Sequence, residues 1–195
     1  MILDYQNILG VIASLLAIAA TIPYIRGIYR GTNKPHLFAW IIWALLTVIA
    51  FLGQMAGGGG AGAWNTGVAS LMCVWIVTMT WSRVAFTATR LDWWMFGVGM
   101  ASIPLWLVTS NPLWAIIIVT AVEGVAFALT FKKAWFKPHE EVAILYILNL
   151  VRHVVALIAL TQFNLVTALF PSVMLLLNLG LISMLALRRR TVNAG

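Results

Sequence analysis

Seven stretches of mostly apolar residues fill this chain almost end to end, at 8–25, 37–56, 61–81, 93–109, 112–131, 142–161 and 165–187. About 20 such residues, rising 1.5 Å each in a helix, match the hydrocarbon thickness of a bilayer. Strands of a membrane barrel would be shorter and would alternate in polarity, and these runs do neither. Charged residues make up 9% of the 195 positions and hydrophobic ones 63%, too few charges to cover a water-soluble body. The expectation is an all-α integral membrane protein with seven transmembrane helices. Residues 1–7 contain Asp4 and no Lys or Arg. A secretory signal wants a positive leading segment, so the first run is expected to stay in the mature protein.

The connections between runs sort by charge. Arg26, Arg30 and Lys34 follow the first run, Arg83 and Arg90 the third, Lys132, Lys133 and Lys137 the fifth, and Arg188, Arg189 and Arg190 the seventh. The alternate links carry no Lys or Arg, so all but one of the 12 basic residues gather on one side. Positive charge marks the cytoplasmic face, which places the N-terminus outside and the C-terminus inside a cytoplasmic (inner or plasma) membrane. The net charge of +7 is then a topology signal, aided by attraction to anionic lipid, and nucleic acid is not an expected partner. The lone Cys73 leaves no intramolecular disulfide and no cysteine metal cluster. Neither a cofactor nor a metal is expected.

Lys34-Pro35-His36 recurs as Lys137-Pro138-His139. The shift that aligns them lays the first run on the fifth and the second on the sixth, with Arg30 on Lys133 and Trp43 on Tyr146. Both copies start outside, so the chain reads as two parallel three-helix repeats, 1–83 and 112–195, joined by a linker helix within 84–111. Repeats related by an axis along the membrane normal recur in transporters.

With these features in place the chain resembles the SWEET and PQ-loop superfamily of seven-helix (3+1+3) membrane transporters. The carrying residues are Ile22-Pro23-Tyr24-Ile25-Arg26, Lys34-Pro35-His36, Phe38, Trp40 and Trp43. The likeness spans nearly the whole chain in architecture and about thirty residues in motif. It implies a small-molecule substrate of the sugar, amino acid or vitamin kind. Where the family has Pro-Gln, this chain has Pro23-Tyr24, and the second repeat reads Ala126-Phe127.

Ionisable residues inside spans are costly and mark a functional site or a structural pair. Here they are Glu123, Arg152 and His153. Helical spacing puts Tyr146, Asn149 and His153 on one face of the sixth run, with Arg152 beside Asn149. Thr120, Glu123, Phe127 and Thr130 make a stripe on the fifth, and Trp40, Trp43, Thr47 and Gln54 a seam on the second. Aromatic walls with a few convergent polar groups suit a small-molecule pocket, giving a candidate substrate-binding set of Glu123, Arg152, His153, Asn149, Tyr146, Trp43 and Asn178. The competing reading of the amides is interhelical hydrogen bonding. It accounts as well for Asn149 and Asn178, and better for Asn65 and Gln54 near the outer ends.

Counting along each helix puts Glu123 about 16 Å and Arg152 about 14 Å below the outer surface. Opposite charges at one depth are expected to meet, as the centre of a site or as a plain clamp between helices. His153, one residue on, could titrate near neutral pH. Trp75 and Trp106 are deep enough to line a pocket, whereas Trp64, Trp81, Trp93, Trp94, Trp114 and Trp135 suit an aromatic belt. The run Gly57-Gly58-Gly59-Gly60 reads as a flexible outside turn, without the lysine of a phosphate loop. His36 and His139 lack a ligand cluster, and Glu140 and Glu141 suit a helix start.

The leading function is a small-solute transporter or facilitator working by alternating access around a midplane pocket. A ligand receptor or an accessory subunit of a larger complex is the alternative class, and a homo-oligomer is compatible with either. An enzyme is not expected: no GxSxG, HExxH or paired intramembrane aspartate occurs.

Overall fold

The computed structural model describes residues 4–31, 36–82, 88–136, 138–141 and 143–192, and each apolar run becomes a helix. These are α1 (Tyr5–Tyr29), α2 (Leu37–Ala56), α3 (Ala61–Thr80), α4 (Arg90–Thr109), α5 (Pro112–Phe136), α6 (Ala143–Ile158) and α7 (Leu165–Val192), with a 3₁₀ turn, Pro138–Glu140, before α6. No strand occurs among the described residues. Of the repeated tripeptides, Lys34, Pro35 and Lys137 lie outside the described residues, as does Arg83.

Local chemistry sets the helix starts. Thr89 and Asp92 close a capping box at the start of α4. Asn111 Oδ1 takes the Leu113 N–H at 3.0 Å, ahead of a proline at the first position of α5. His36 Nδ1 takes the Ala39 N–H at 3.3 Å at the start of α2.

Six helices are long and apolar enough to cross a membrane, the build of a multi-pass membrane protein. The sixth run falls short of its expected length. Its helix ends at Ile158, 16 residues and about 24 Å long. Beyond that point the backbone N–H groups of Thr161 and Gln162 donate to Gly59 and Gly58 carbonyls instead, at 3.2 and 3.1 Å.

Lipid tails are as apolar as leucine, so helices here associate through close packing rather than escape from water. α1 shows the consequence: Gly10, Ala13, Ala17 and Ala20 are its buried stripe, set against α3 and α6. A Cβ at Gly10 would sit 2.6 Å from the Ala61 carbonyl oxygen. The other half of the bundle is filled by large side chains. Phe38, Ile42 and Leu46 of α2 interlock with Ile116 and Val119 of α5 and with Phe170 and Met174 of α7. Outward faces are apolar too, as hydrocarbon demands: Leu107 and Val108 on α4 are 74% and 84% exposed. α3 packs between α1 and α2, α7 between α5 and α6, and α4 rests on α2 and α5.

The two ends of the bundle differ. At the uncharged end the glycine run is a packed seam, contrary to the flexible turn expected. Besides the two backbone bonds above, Asn164 Nδ2 donates to the Gly57 carbonyl at 2.9 Å and Gln6 Nε2 to the Leu160 carbonyl at 3.2 Å. Gly60 holds φ +55°, a conformation side-chain-bearing residues rarely adopt. At the basic end Arg188 Nε donates to the Trp135 carbonyl at 3.1 Å, and its guanidinium lies 4.5 Å from that indole ring. Arg189 Nε donates to the Pro138 carbonyl and Nη2 to that of Glu141, so the end of α7 fastens the α5–α6 link. His36 Nε2 and Asp92 Oδ2, 3.7 Å apart, join the starts of α2 and α4.

Candidate functional site

Four helices bring polar side chains to one place. α2 offers Trp43 and Thr47 one turn apart, and α3 carries Thr66, Ser70 and Cys73 on one stripe. α5 offers Glu123 and α6 Arg152. Glu123 is only 6% exposed. Its carboxylate interacts electrostatically with Arg152 and lies within hydrogen-bonding reach of the Trp43 side chain. Both charges act on Cys73, and Thr47 faces that thiol. The expected meeting of Glu123 and Arg152 therefore occurs as an electrostatic one across the bundle.

It does not occur as a contact. The two side chains make no direct ion pair (~4 Å) among the described residues, where His36 with Asp92 is the one salt bridge. Arg152 Nε is buried without a partner. A clamp would bring the groups together, because attraction grows as the dielectric falls, and here they are not in ion-pairing contact.

The rest of the candidate set disperses. Tyr146 belongs to the basic end, where its hydroxyl donates to Glu141 Oε2 at 2.5 Å and its ring packs with Ala134, Leu181 and Leu185. His153 is 2% exposed, interacts electrostatically with Arg152, and leaves Nδ1 without a partner. Asn178 is as buried; its Nδ2 donates to the Met174 carbonyl of its own helix at 2.7 Å, and its Oδ1 has no partner. The antiparallel register that sets Tyr146 against Leu181 and Leu185 brings His153, two turns on, level with Met174–Asn178. Asn149 is half-buried and makes no hydrogen bond among the described residues.

The interhelical bridges considered for the amides do not form. Asn65 Nδ2 turns back to the Gly62 carbonyl of its own helix, and Gln54 Oε1 and Asn65 Oδ1 are buried and unpartnered beneath the glycine seam. Trp75 is 44% exposed and faces outward, while Trp106 packs on the apolar core, which removes both from the pocket. Trp43 stands edge-on to Trp40, ring centroids 4.9 Å apart, and Trp40 Nε1 donates to the Tyr24 hydroxyl at 3.2 Å. An aromatic chain thus runs from α1 to Glu123.

Cys73 and Thr47 are the members that sequence reasoning passed over as site residues. The signal was present: Thr66, Ser70 and Cys73 repeat at i, i+4 and i+7, a polar face on an otherwise apolar helix.

A cavity of about 240 Å³ opens between α2, α4 and α5 at the basic end, lined by His36, Ile42, Trp43, Asp92, Met95 and Ala126. Trp43 is shared between this cavity and the Glu123 cluster. Pockets for drug-sized ligands run from ~300 Å³ upward, so this one suits a smaller solute. Chemically, the arrangement offers one acid, one base and an aromatic wall inside an apolar shell. Comparison of the chain with family models, curated proteins and solved structures finds no match.

Proposed function

We propose that this chain is a small-solute transporter or facilitator of SWEET- and PQ-loop-like build. In this reading two parallel three-helix repeats flank the linker helix α4, with the N-terminus outside and the C-terminus in the cytoplasm. Solute passes through a pocket between the repeats by alternating access.

The observation that carries the reading is the cluster of buried Glu123 and half-buried Arg152, one from each of two helices, facing Trp43 and Cys73 from two others. Its place in the packing supports the repeats. Exchanging α1, α2, α3 for α5, α6, α7 maps the helix contacts onto themselves. The α1–α3 pair becomes α5–α7, and α2–α3 becomes α6–α7. Across the middle, α1–α6 becomes α2–α5, and α3–α6 becomes α2–α7. Only α4 lacks a counterpart, as a linker would. Transporter sites lie at such repeat interfaces near the midplane.

One end of the path is sealed by the glycine seam, and the cavity beside Trp43 lies at the other. That asymmetry is what one phase of an alternating cycle requires. Rocking one triple-helix unit against the other would break the backbone bonds of Thr161 and Gln162 to the glycines while closing the basic end.

Two measurements check this. Reconstituted in vesicles, the protein should take up at least one radiolabelled solute from a panel of glucose, amino acids and thiamine, and Glu123→Gln should abolish the uptake; no flux above empty vesicles for any of them would overturn it. Reporter fusions should place the N-terminus outside and the C-terminus in the cytoplasm, and both termini on one side would remove the seven-helix topology.

A further inference from the structure

The geometry points to a small zwitterion as the solute of the central cluster, and we propose that its carboxylate is bound by Arg152 and its ammonium by Glu123. This rests on the transporter reading above and narrows its substrate class.

The inference starts from two opposite charges, one buried and one half-buried, that influence each other but are unjoined. Glu123 is 6% exposed; the Trp43 side chain lies within hydrogen-bonding reach of its carboxylate, but no cation lies within ion-pairing distance of it among the described residues. Arg152 faces it from α6 with its Nε buried and unpartnered. An unpaired buried ion is among the costliest groups a protein can hold. Buried Glu123 and half-buried Arg152, opposite in sign and not in contact, form a recognition element for a molecule that carries both complements.

Each end has suitable chemistry. A guanidinium edge made of Nε–H and one terminal N–H matches a carboxylate in a two-pronged contact, and Nε is the atom left open. The Glu123 carboxylate accepts from ammonium protons, with the Trp43 side chain beside it.

Other solute classes fit less well. A neutral sugar would leave both ions with neutral partners only. A simple anion would satisfy Arg152 and strand Glu123, and a simple cation the reverse. A zwitterion satisfies both at no net charge, so moving it across the membrane does no work against the transmembrane potential.

The test is binding to the purified full-length protein in nanodiscs. Each proteinogenic amino acid and glycine betaine would be titrated in parallel with glucose, lactate and isopropylamine. At least one zwitterion should bind saturably, while glucose does not compete, and lactate and isopropylamine each bind roughly 30-fold more weakly or worse, the scale of a lost desolvated charge contact. Glu123→Gln and Arg152→Gln should each weaken that binding by a similar factor. If either single variant fails to fold, Glu123→Gln/Arg152→Gln supplies a folded protein without either charge, and it should bind no zwitterion.

Saturable glucose binding without zwitterion binding, no binding by any zwitterion, or full zwitterion affinity in the double variant would each overturn the assignment. The transporter reading is judged separately by flux. Charge-dependent zwitterion binding without uptake in vesicles would leave the assignment standing and remove transport, whereas glucose flux without zwitterion binding would do the opposite.

Discussion

Arg152→Gln should lower the stability of the purified protein in detergent by roughly 3 kcal/mol, and Glu123→Gln by a comparable amount. Breaking a buried pair costs ~3–5 kcal/mol because it leaves one charge uncompensated. The two groups here interact without touching, which puts the loss at the lower end. The double change removes both charges, so its stability should return close to that of the parent. A double-mutant cycle measured by thermal melting checks the coupling. Additive losses in the cycle would show that each residue is held by neighbours other than its opposite charge. Transport should be absent in all three variants, because the recovered fold no longer presents either ion to the solute.

The glycine seam should be the other sensitive place. A Cβ at Gly62 would lie 2.7 Å from the Ala156 carbonyl oxygen and 2.7 Å from the Leu160 amide nitrogen, both backbone atoms of the α6 segment that cannot step aside. Gly62→Ala should therefore push α3 off α6 and cost ~1–3 kcal/mol, the usual price of overpacking. Gly60→Ala meets the Thr161 side chain and also carries the strain of φ +55°, a conformational cost of ~1–3 kcal/mol. Hydrogen exchange would report both changes directly. The Thr161 and Gln162 amides, which donate to Gly59 and Gly58, should lose protection before the helices do. Gly124→Ala, where nothing lies within 4 Å of the added carbon, should leave those amides unchanged. Equal protection in parent, Gly60→Ala and Gly62→Ala would mean that the seam does not hold the uncharged end closed.

The helices themselves were legible in the residues. Apolar runs of bilayer length can do little in hydrocarbon except form helices, since every backbone N–H and C=O must be satisfied within the segment. Hence α2 spans the residues expected, and α3, α5 and α7 start where expected. The buried ionisable residues were equally plain, because Glu123 and Arg152 interrupt runs that otherwise carry no charge. Depth counted at 1.5 Å per residue placed them at one level, and they do interact.

What the one-dimensional pattern could not carry was the angle at which each helix presents its faces. Tyr146 and His153 share a face of α6, yet Tyr146 is taken by Glu141 at the basic end. Arg152, one residue from His153, is the residue turned toward Glu123 and Cys73. Trp75 sits mid-helix but points outward. In a membrane, both the lipid-facing and the protein-facing sides of a helix are apolar, so the hydrophobic periodicity that orients a helix in water is nearly erased. The glycine run shows the same limit. Four glycines are consistent with a loose turn or with a backbone approach too close for any side chain, and only the position of residues a hundred places away, Leu160 to Asn164, decides between them. Sequence alone therefore determined the number of helices, their lengths to within about two turns, and which charges lie mid-helix, because length and solvation act locally along the chain. The tertiary structure decided which faces meet, that the opposing charges stand apart, and that the uncharged end is closed, because those depend on close packing between segments distant in sequence.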